Sequence, residues 1–311
     1  MPQQHVAVIG AGTIGASWAA YFLSRGLSVS ASDPAPEGER FLRNYIANAW
    51  PTLTQLGLAE GASPERVRFV RDPAKAVEGS DFVQESAPER EDMKIELFER
   101  LDHALPPNVI LASSSSGLLI SRITQRCRHP ERCVIGHPFN PPHVIPLVEV
   151  VGGARTSPEA VQRAIAFYRD IGKRPIHVRK EVTGHLVNRL QAALWREAVH
   201  LVAEGVASVA DVDAGIAYGP GLRWAIMGPH LTFHLAGGVG GMTHFMPHLG
   251  VPLAKEWWPA LGNPELTPEL QRKIIDGVAD EAAGRDIPTL AAERDKCLLA
   301  ILEALRRARG E

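Results

Sequence analysis

Cysteine is sparse in this sequence, membrane-like runs are missing, and neither sign of charge dominates. The three cysteines, Cys127, Cys133 and Cys297, are odd in number and lack CxxC spacing. Such usage excludes a disulfide framework and fits a reduced cytoplasmic protein. No apolar run approaches the roughly eighteen residues of a membrane span, so no membrane partner is expected. A formal net charge of −2 over 311 residues leaves no basic footprint for nucleic acid or anionic lipid. The opening residues MPQQHVAVIG enter strand-like sequence at once, without the basic and apolar regions of a secretion signal. Lysine is also missing before Lys75.

What is present is ordinary globular composition, 45% apolar and 22% charged, in a chain long enough for two domains. Short β-branched runs at 5–9, 27–32, 67–70, 81–85 and 109–113 alternate with helical patterns at 14–25, 39–56 and 89–105. Further strand-like runs at 133–136, 147–151 and 175–178 extend the series, with a helical pattern at 158–171 between the last two. Such alternation predicts an α/β fold, a mostly parallel sheet covered by helices on both faces. Near residue 183 the character changes. Residues 185–205 carry apolar positions at three-to-four spacing, and no convincing strand follows. The expected division is residues 1–183 for a doubly wound domain and 184–311 for an all-helical one.

GAGTIG, from Gly10 to Gly15, follows the first strand directly and opens the first helix. The spacing suits a tight turn at Gly10, close approach of a pyrophosphate at Gly12 and helix–strand contact at Gly15. Thr13 and Ile14 complete that turn. Asp33 ends the second strand, where it can accept from ribose hydroxyls and repel a 2′-phosphate. No arginine follows it until Arg40. A Rossmann-type domain that prefers NAD to NADP is the reading.

GHPFNPPHVIPLVEVV places His137 at the end of one apolar strand and Glu149 inside the next. A carboxylate in such a strand is costly unless a partner compensates it. The pair can be a core contact that fixes the two strands. Beside a nucleotide-binding crevice it can also be a base and its orienting carboxylate, as a metal-free alcohol dehydrogenase requires.

In order and spacing, GAGTIG, the aspartate after strand two, ESAPER at 85–90, SSSSGL at 113–118, GHPFNP at 136–141, LVEVV at 147–151 and GHLVNRL at 184–190 resemble the 3-hydroxyacyl-CoA dehydrogenase family. The resemblance covers nearly the whole chain. It implies that His137 is the catalytic base and Glu149 its partner. It further implies that Ser116 holds the reacting oxygen, that Asn188 positions substrate and histidine, and that Glu89 and Lys94 lie near the nicotinamide ribose. It also implies a homodimer joined through the second domain. Two departures stand out: Pro138 within HPFNP, and Thr183–His185 where the family has Pro-Gly-Phe. The second touches the domain hinge.

Coenzyme A calls for basic groups after strand two, where this chain offers only Arg40 and Arg43. The stretch 219–245, with LWREA at 194–198, resembles the carnitine-oxidising branch of the family, with gulonate-oxidising members more distant. That branch implies a small 3-hydroxy acid with a quaternary ammonium, which favours aromatic faces. Trp195, Trp224, Phe233, Trp257 and Trp258 supply such faces, and Arg223 can pair with a carboxylate. Each aromatic can equally be core. His230/His234 and His244/His248 stand four apart, but HExxH is absent and flanking glycines break any long helix, so no metal is expected.

Overall fold

The computed structural model describes residues 4–310. Among the described residues, eight strands form one sheet: β1 (His5–Ile9), β2 (Ser28–Ser32), β3 (Val67–Phe69), β4 (Phe82–Glu85), β5 (Ile110–Ser113), β6 (Cys133–Pro138), β7 (Leu147–Gly152) and β8 (Arg174–Val178). Their order is β3-β2-β1-β4-β5-β6-β7-β8, and only the β6–β7 pairing is antiparallel. The order reverses between β1 and β4, so a crevice opens at the carboxyl ends of these strands. All eight strands were legible in the sequence to within two residues at their ends.

Helices α1 (Thr13–Ser24), α2 (Gly38–Leu56), α3 (Pro73–Ala76), α4 (Glu91–Ala104), α5 (Ile120–Ile123) and α6 (Pro158–Asp170) cover the sheet. Along β1, Val6 and Val8 enter one core with Trp18, Phe22, Leu42 and Tyr168. Ala7 and Ile9 enter the other, with Phe98, Leu101 and Ile120. Successive side chains of a strand point to opposite faces, so burial on both sides produces the continuous apolar runs seen in the sequence.

The chain divides into two compact units between Arg189 and Leu190, within α7 (Val187–Ala203). The second is helical: α8 (Val209–Tyr218), α9 (Pro220–Trp224), α10 (Pro229–Ala236), α11 (Gly241–Phe245), α12 (Val251–Glu256), α13 (Pro268–Ala282) and α14 (Ile287–Arg309). Ser208 caps α8 in a reciprocal capping box with Asp211, which satisfies two free amides of its first turn. Many of this unit's large apolar side chains face solvent, including Trp195, Tyr218, Trp258 and Ile275. Among the described residues, no helix is long and apolar enough to cross a membrane.

One helix starts later than its apolar periodicity implies. The pattern runs from 185, but Gly184 (φ +76°) and His185 (φ +50°) are left-handed, so α7 begins only at Val187. The delay leaves two backbone amides, those of Leu186 and Val187, free for another partner.

Candidate active site

The GAGTIG turn forms as its spacing requires. Gly10 has φ +94°, and a Cβ there would lie 2.6 Å from the Ser86 backbone. A Cβ on Gly15 would lie 1.7 Å from the Gly10 carbonyl oxygen, so the helix could not close on the strand. A Cβ on Gly12 would meet nothing within 4 Å, which leaves open space at the start of α1 beside the exposed Thr13. Ile14 turns inward against the core. Asp33 accepts from the amides of Ala11 (2.8 Å) and Ala35 (2.9 Å), which ties β2 to the glycine turn. These residues fit NAD: open space and helix amides for the pyrophosphate, and a fixed carboxylate for the ribose. Replacing Asp33 by serine should relax a strong preference for NAD over NADP, read as the ratio of kcat/KM values. Equal use of both cofactors by the unmodified protein would remove Asp33 from that role.

His137 and Glu149 stand directly opposite each other in the antiparallel β6–β7 register. Directly opposed residues project from the same face, so Nδ1 of His137 meets Oε2 of Glu149 at 2.8 Å. Glu149 is fully buried and His137 is 5% exposed. The other carboxylate oxygen of Glu149 accepts from the amides of Leu186 (3.0 Å) and Val187 (2.9 Å), the two freed by the late start of α7. Burial opposes ionisation of Glu149, but the His137 bond and the two amides outweigh it and hold the carboxyl below its usual range. With a carboxylate on Nδ1, the proton sits there and Nε2 presents a lone pair.

The serine run forms a turn after β5 that Glu89 gathers from one side. Oε1 of Glu89 accepts from Ser115 Oγ (2.6 Å), the Ser116 amide (2.9 Å), the Gly117 amide (3.0 Å) and Ser116 Oγ (3.3 Å). Burial works against its charge, yet the Ser115 hydroxyl, Lys94 and the two amides lower its pKa on balance. From the other side, Asn188 Nδ2 donates to the Ser116 carbonyl at 3.0 Å. Ser116, Asn188, Glu89, His137 and Glu149 therefore belong to one connected arrangement at the carboxyl ends of β4, β5 and β6.

Lys94 has a different setting from the other site residues. It is 1% exposed, and its Nζ donates to Glu85 Oε1 (2.6 Å) and the Ala87 carbonyl (3.0 Å), with Glu89 Oε2 at 3.8 Å. Its charge is spent on two carboxylates of the chain. The sequence marks Glu85 only weakly, as an acid that closes the apolar strand FVQE and so needs a buried partner. His185, buried beside His137, is marked in the sequence only by its departure from the family's Pro-Gly-Phe.

In the second unit, Arg223 and Trp224 lie on α9 and Phe233 on α10. Trp224 is 41% exposed, while Phe233 stacks on Phe245 with ring centroids 5.0 Å apart. His234 Nδ1 accepts from the Met242 amide, and His248 Nδ1 meets the His244 carbonyl. Among the described residues, no group of three or more His, Cys, Asp or Glu is arranged to hold a metal.

Comparison with known proteins gives the same assignment through both halves of the chain. The family described as 3-hydroxyacyl-CoA dehydrogenase, NAD binding domain, matches residues 5–182, and its C-terminal domain matches residues 184–280. An L-carnitine dehydrogenase of Streptomyces coelicolor is 52% identical over 304 residues, 98% of this chain and 95% of the relative. One from Pseudomonas putida is 50% identical, covering 98% and 94%. Among solved structures, 5-formyl-3-hydroxy-2-methylpyridine 4-carboxylic acid 5-dehydrogenase, an NAD+ dependent dismutase, superposes with a TM-score of 0.84 at 31% identity, covering 98% of this chain and 99% of that one. With an NAD-binding half, an adjoining helical half and a histidine–glutamate pair in the expected order, the chain belongs to the 3-hydroxyacyl-CoA dehydrogenase family of NAD-dependent oxidoreductases.

Proposed function

We propose that this protein oxidises the 3-hydroxyl of a small L-3-hydroxy acid, with L-carnitine as substrate and 3-dehydrocarnitine as product. The observation that carries the chemistry is the 2.8 Å bond between His137 Nδ1 and Glu149 Oε2. It fixes the imidazole tautomer and leaves Nε2 as the base for the hydroxyl proton. Bound NAD supplies the acceptor for the hydride that leaves carbon 3. Glu149 compensates the imidazolium that forms, and its own charge is held by α7 amides throughout. Ser116 hydrogen-bonds the reacting oxygen, and Asn188 keeps the serine turn in register through the Ser116 carbonyl. Glu89 and the turn it gathers would help hold the nicotinamide ribose of bound NAD, and Lys94 balances Glu89 and Glu85.

Relatives about half identical over nearly the full length, each called L-carnitine dehydrogenase, support carnitine over other 3-hydroxy acids. Arg223 is the proposed partner of the substrate carboxylate, and Trp224 and Phe233 of its trimethylammonium group, which cannot donate hydrogen bonds and favours ring faces. The two family domains meet at residues 182–184, a few residues before the compact units divide at 189–190, and separate a cofactor half from a substrate half; the setting is the cytoplasm. A homodimer through the helical half would cover the apolar side chains that face solvent there, such as Trp195 and Trp258. Sedimentation at twice the 33.7 kDa chain mass is the expected result.

Efficiency with NAD on L-carnitine, L-gulonate and 3-hydroxybutyryl-CoA, measured side by side, should be highest on L-carnitine. Trp224→Ala should raise the carnitine KM by roughly two- to thirtyfold, the worth of one cation–π contact, and leave the NAD KM unchanged. A higher efficiency on the CoA ester would make Arg40 and Arg43 the phosphate partners and return the aromatics to packing.

A further inference from the structure

The turn that leads into α7 carries a second imidazole, which the chemistry above does not use. His185 is 1% exposed and holds φ +50°, a conformation that costs energy in any residue with a Cβ. Its Nε2 lies 2.9 Å from the Ser115 carbonyl oxygen. A carbonyl only accepts, so Nε2 carries the proton and Nδ1 is the bare nitrogen. Nδ1 is buried without a hydrogen-bond partner. Protonating it would strand a charged N–H in the interior, with its ring centroid 5.5 Å from that of His137. The geometry holds His185 neutral and its Nε2 a permanent donor.

The neighbouring charges agree with that state. Burial lowers the pKa of His185 and so does His137, against the Ser115 carbonyl and the carboxylates Glu149 and Glu89, which pull upward. Lowering prevails.

Resting on the dehydrogenase reading, we propose that His185 is a positioning residue. Its Nε2–H holds the Ser115 carbonyl while Asn188 holds the Ser116 carbonyl, and together they set the serine turn against the His137–Glu149 pair. The two ties come from one short segment, residues 185–188 at the entry to α7, whose Leu186 and Val187 amides also hold Glu149. One segment thereby aligns the base, its carboxylate and the hydroxyl of Ser116. A phenylalanine at position 185 would fill the same space and leave the Ser115 carbonyl without this donor.

The test compares His185→Phe, which keeps the ring, with His185→Gln, which keeps a donor near the place of Nε2. His185→Phe should lower kcat about tenfold, the equivalent of one hydrogen bond, with the NAD KM unchanged. His185→Gln should recover most of that loss. If His185→Phe retains wild-type kcat, or if both variants lose kcat and melting temperature in parallel, His185 only fills space and the proposal falls.

Two readouts need no activity. Imidazole nitrogen spectra of the labelled protein should show His185 protonated at Nε2 and bare at Nδ1, and the opposite tautomer would overturn the assignment. A pKa lowered from 6.5 means that His185 costs no stability above that pH and destabilises the fold as pH falls below it. Wild-type melting temperature should therefore drop more steeply below pH 6.5 than that of His185→Gln, and parallel curves would count against a neutral His185. A wild-type protein inactive on every 3-hydroxy acid would instead defeat the dehydrogenase reading, leaving the spectra and melting curves to judge His185 alone.

Discussion

His137→Ala should cut kcat by about a hundredfold to ten-thousandfold, the usual worth of a positioned base, while NAD still binds. The expectation rests on location as well as identity. His137 lies at the carboxyl end of β6, beyond the sheet's point of reversal, and its Nδ1 is committed to Glu149. Only Nε2 remains to accept the substrate proton. Glu149→Gln should also slow turnover, for a separate reason. The amide oxygen can keep the Leu186 and Val187 amides, but the charge that balances the imidazolium is gone and the His137 Nδ1–H meets an NH2 group instead of an acceptor. Stopped-flow measurement of NADH formation separates this chemical step from product release. A His137→Ala enzyme with wild-type single-turnover rate would move the proton to another group, and the serine turn would be the place to look.

The parts of this site that were legible from sequence are those whose signal is local or energetically expensive. GAGTIG is a contiguous pattern, and Asp33 follows it at the end of the next strand. His137 and Glu149 drew attention because a base and an acid inside apolar strands must be compensated, although only the register shows them face to face. The amides that complete the Glu149 shell were not legible, because the periodicity of 185–205 masks the two left-handed residues that delay α7. Glu85 was hidden for a related reason. Its partner Lys94 lies on the helix after the strand, and nothing in the intervening residues says that the lysine folds back. Family resemblance implies Lys94 near the nicotinamide ribose; within the fold its partners are Glu85, Ala87 and Glu89.

Those partners lead to the second large expected effect, on stability. Lys94→Met should destabilise the first unit by about 3–5 kcal/mol, because it strands the Glu85 carboxylate in the interior. Both groups are essentially without solvent access, at 1% and 0%. The Ala87 amide and the Ser113 hydroxyl would still donate to Glu85, but neither carries a positive charge. For a unit of this size that loss corresponds to a fall in melting temperature of roughly 6–20 °C. The double variant Glu85→Gln/Lys94→Met should regain much of it, since replacing both charges removes the stranded one; a double-mutant cycle measures the recovery. NAD affinity distinguishes the two accounts of Lys94. If the lysine acts through Glu85 and Glu89, affinity and stability should fall together in the single variant and recover together in the double. If Lys94→Met melts like the wild type yet loses NAD, the lysine touches the cofactor directly, and its bond to Glu85 gives way when NAD binds.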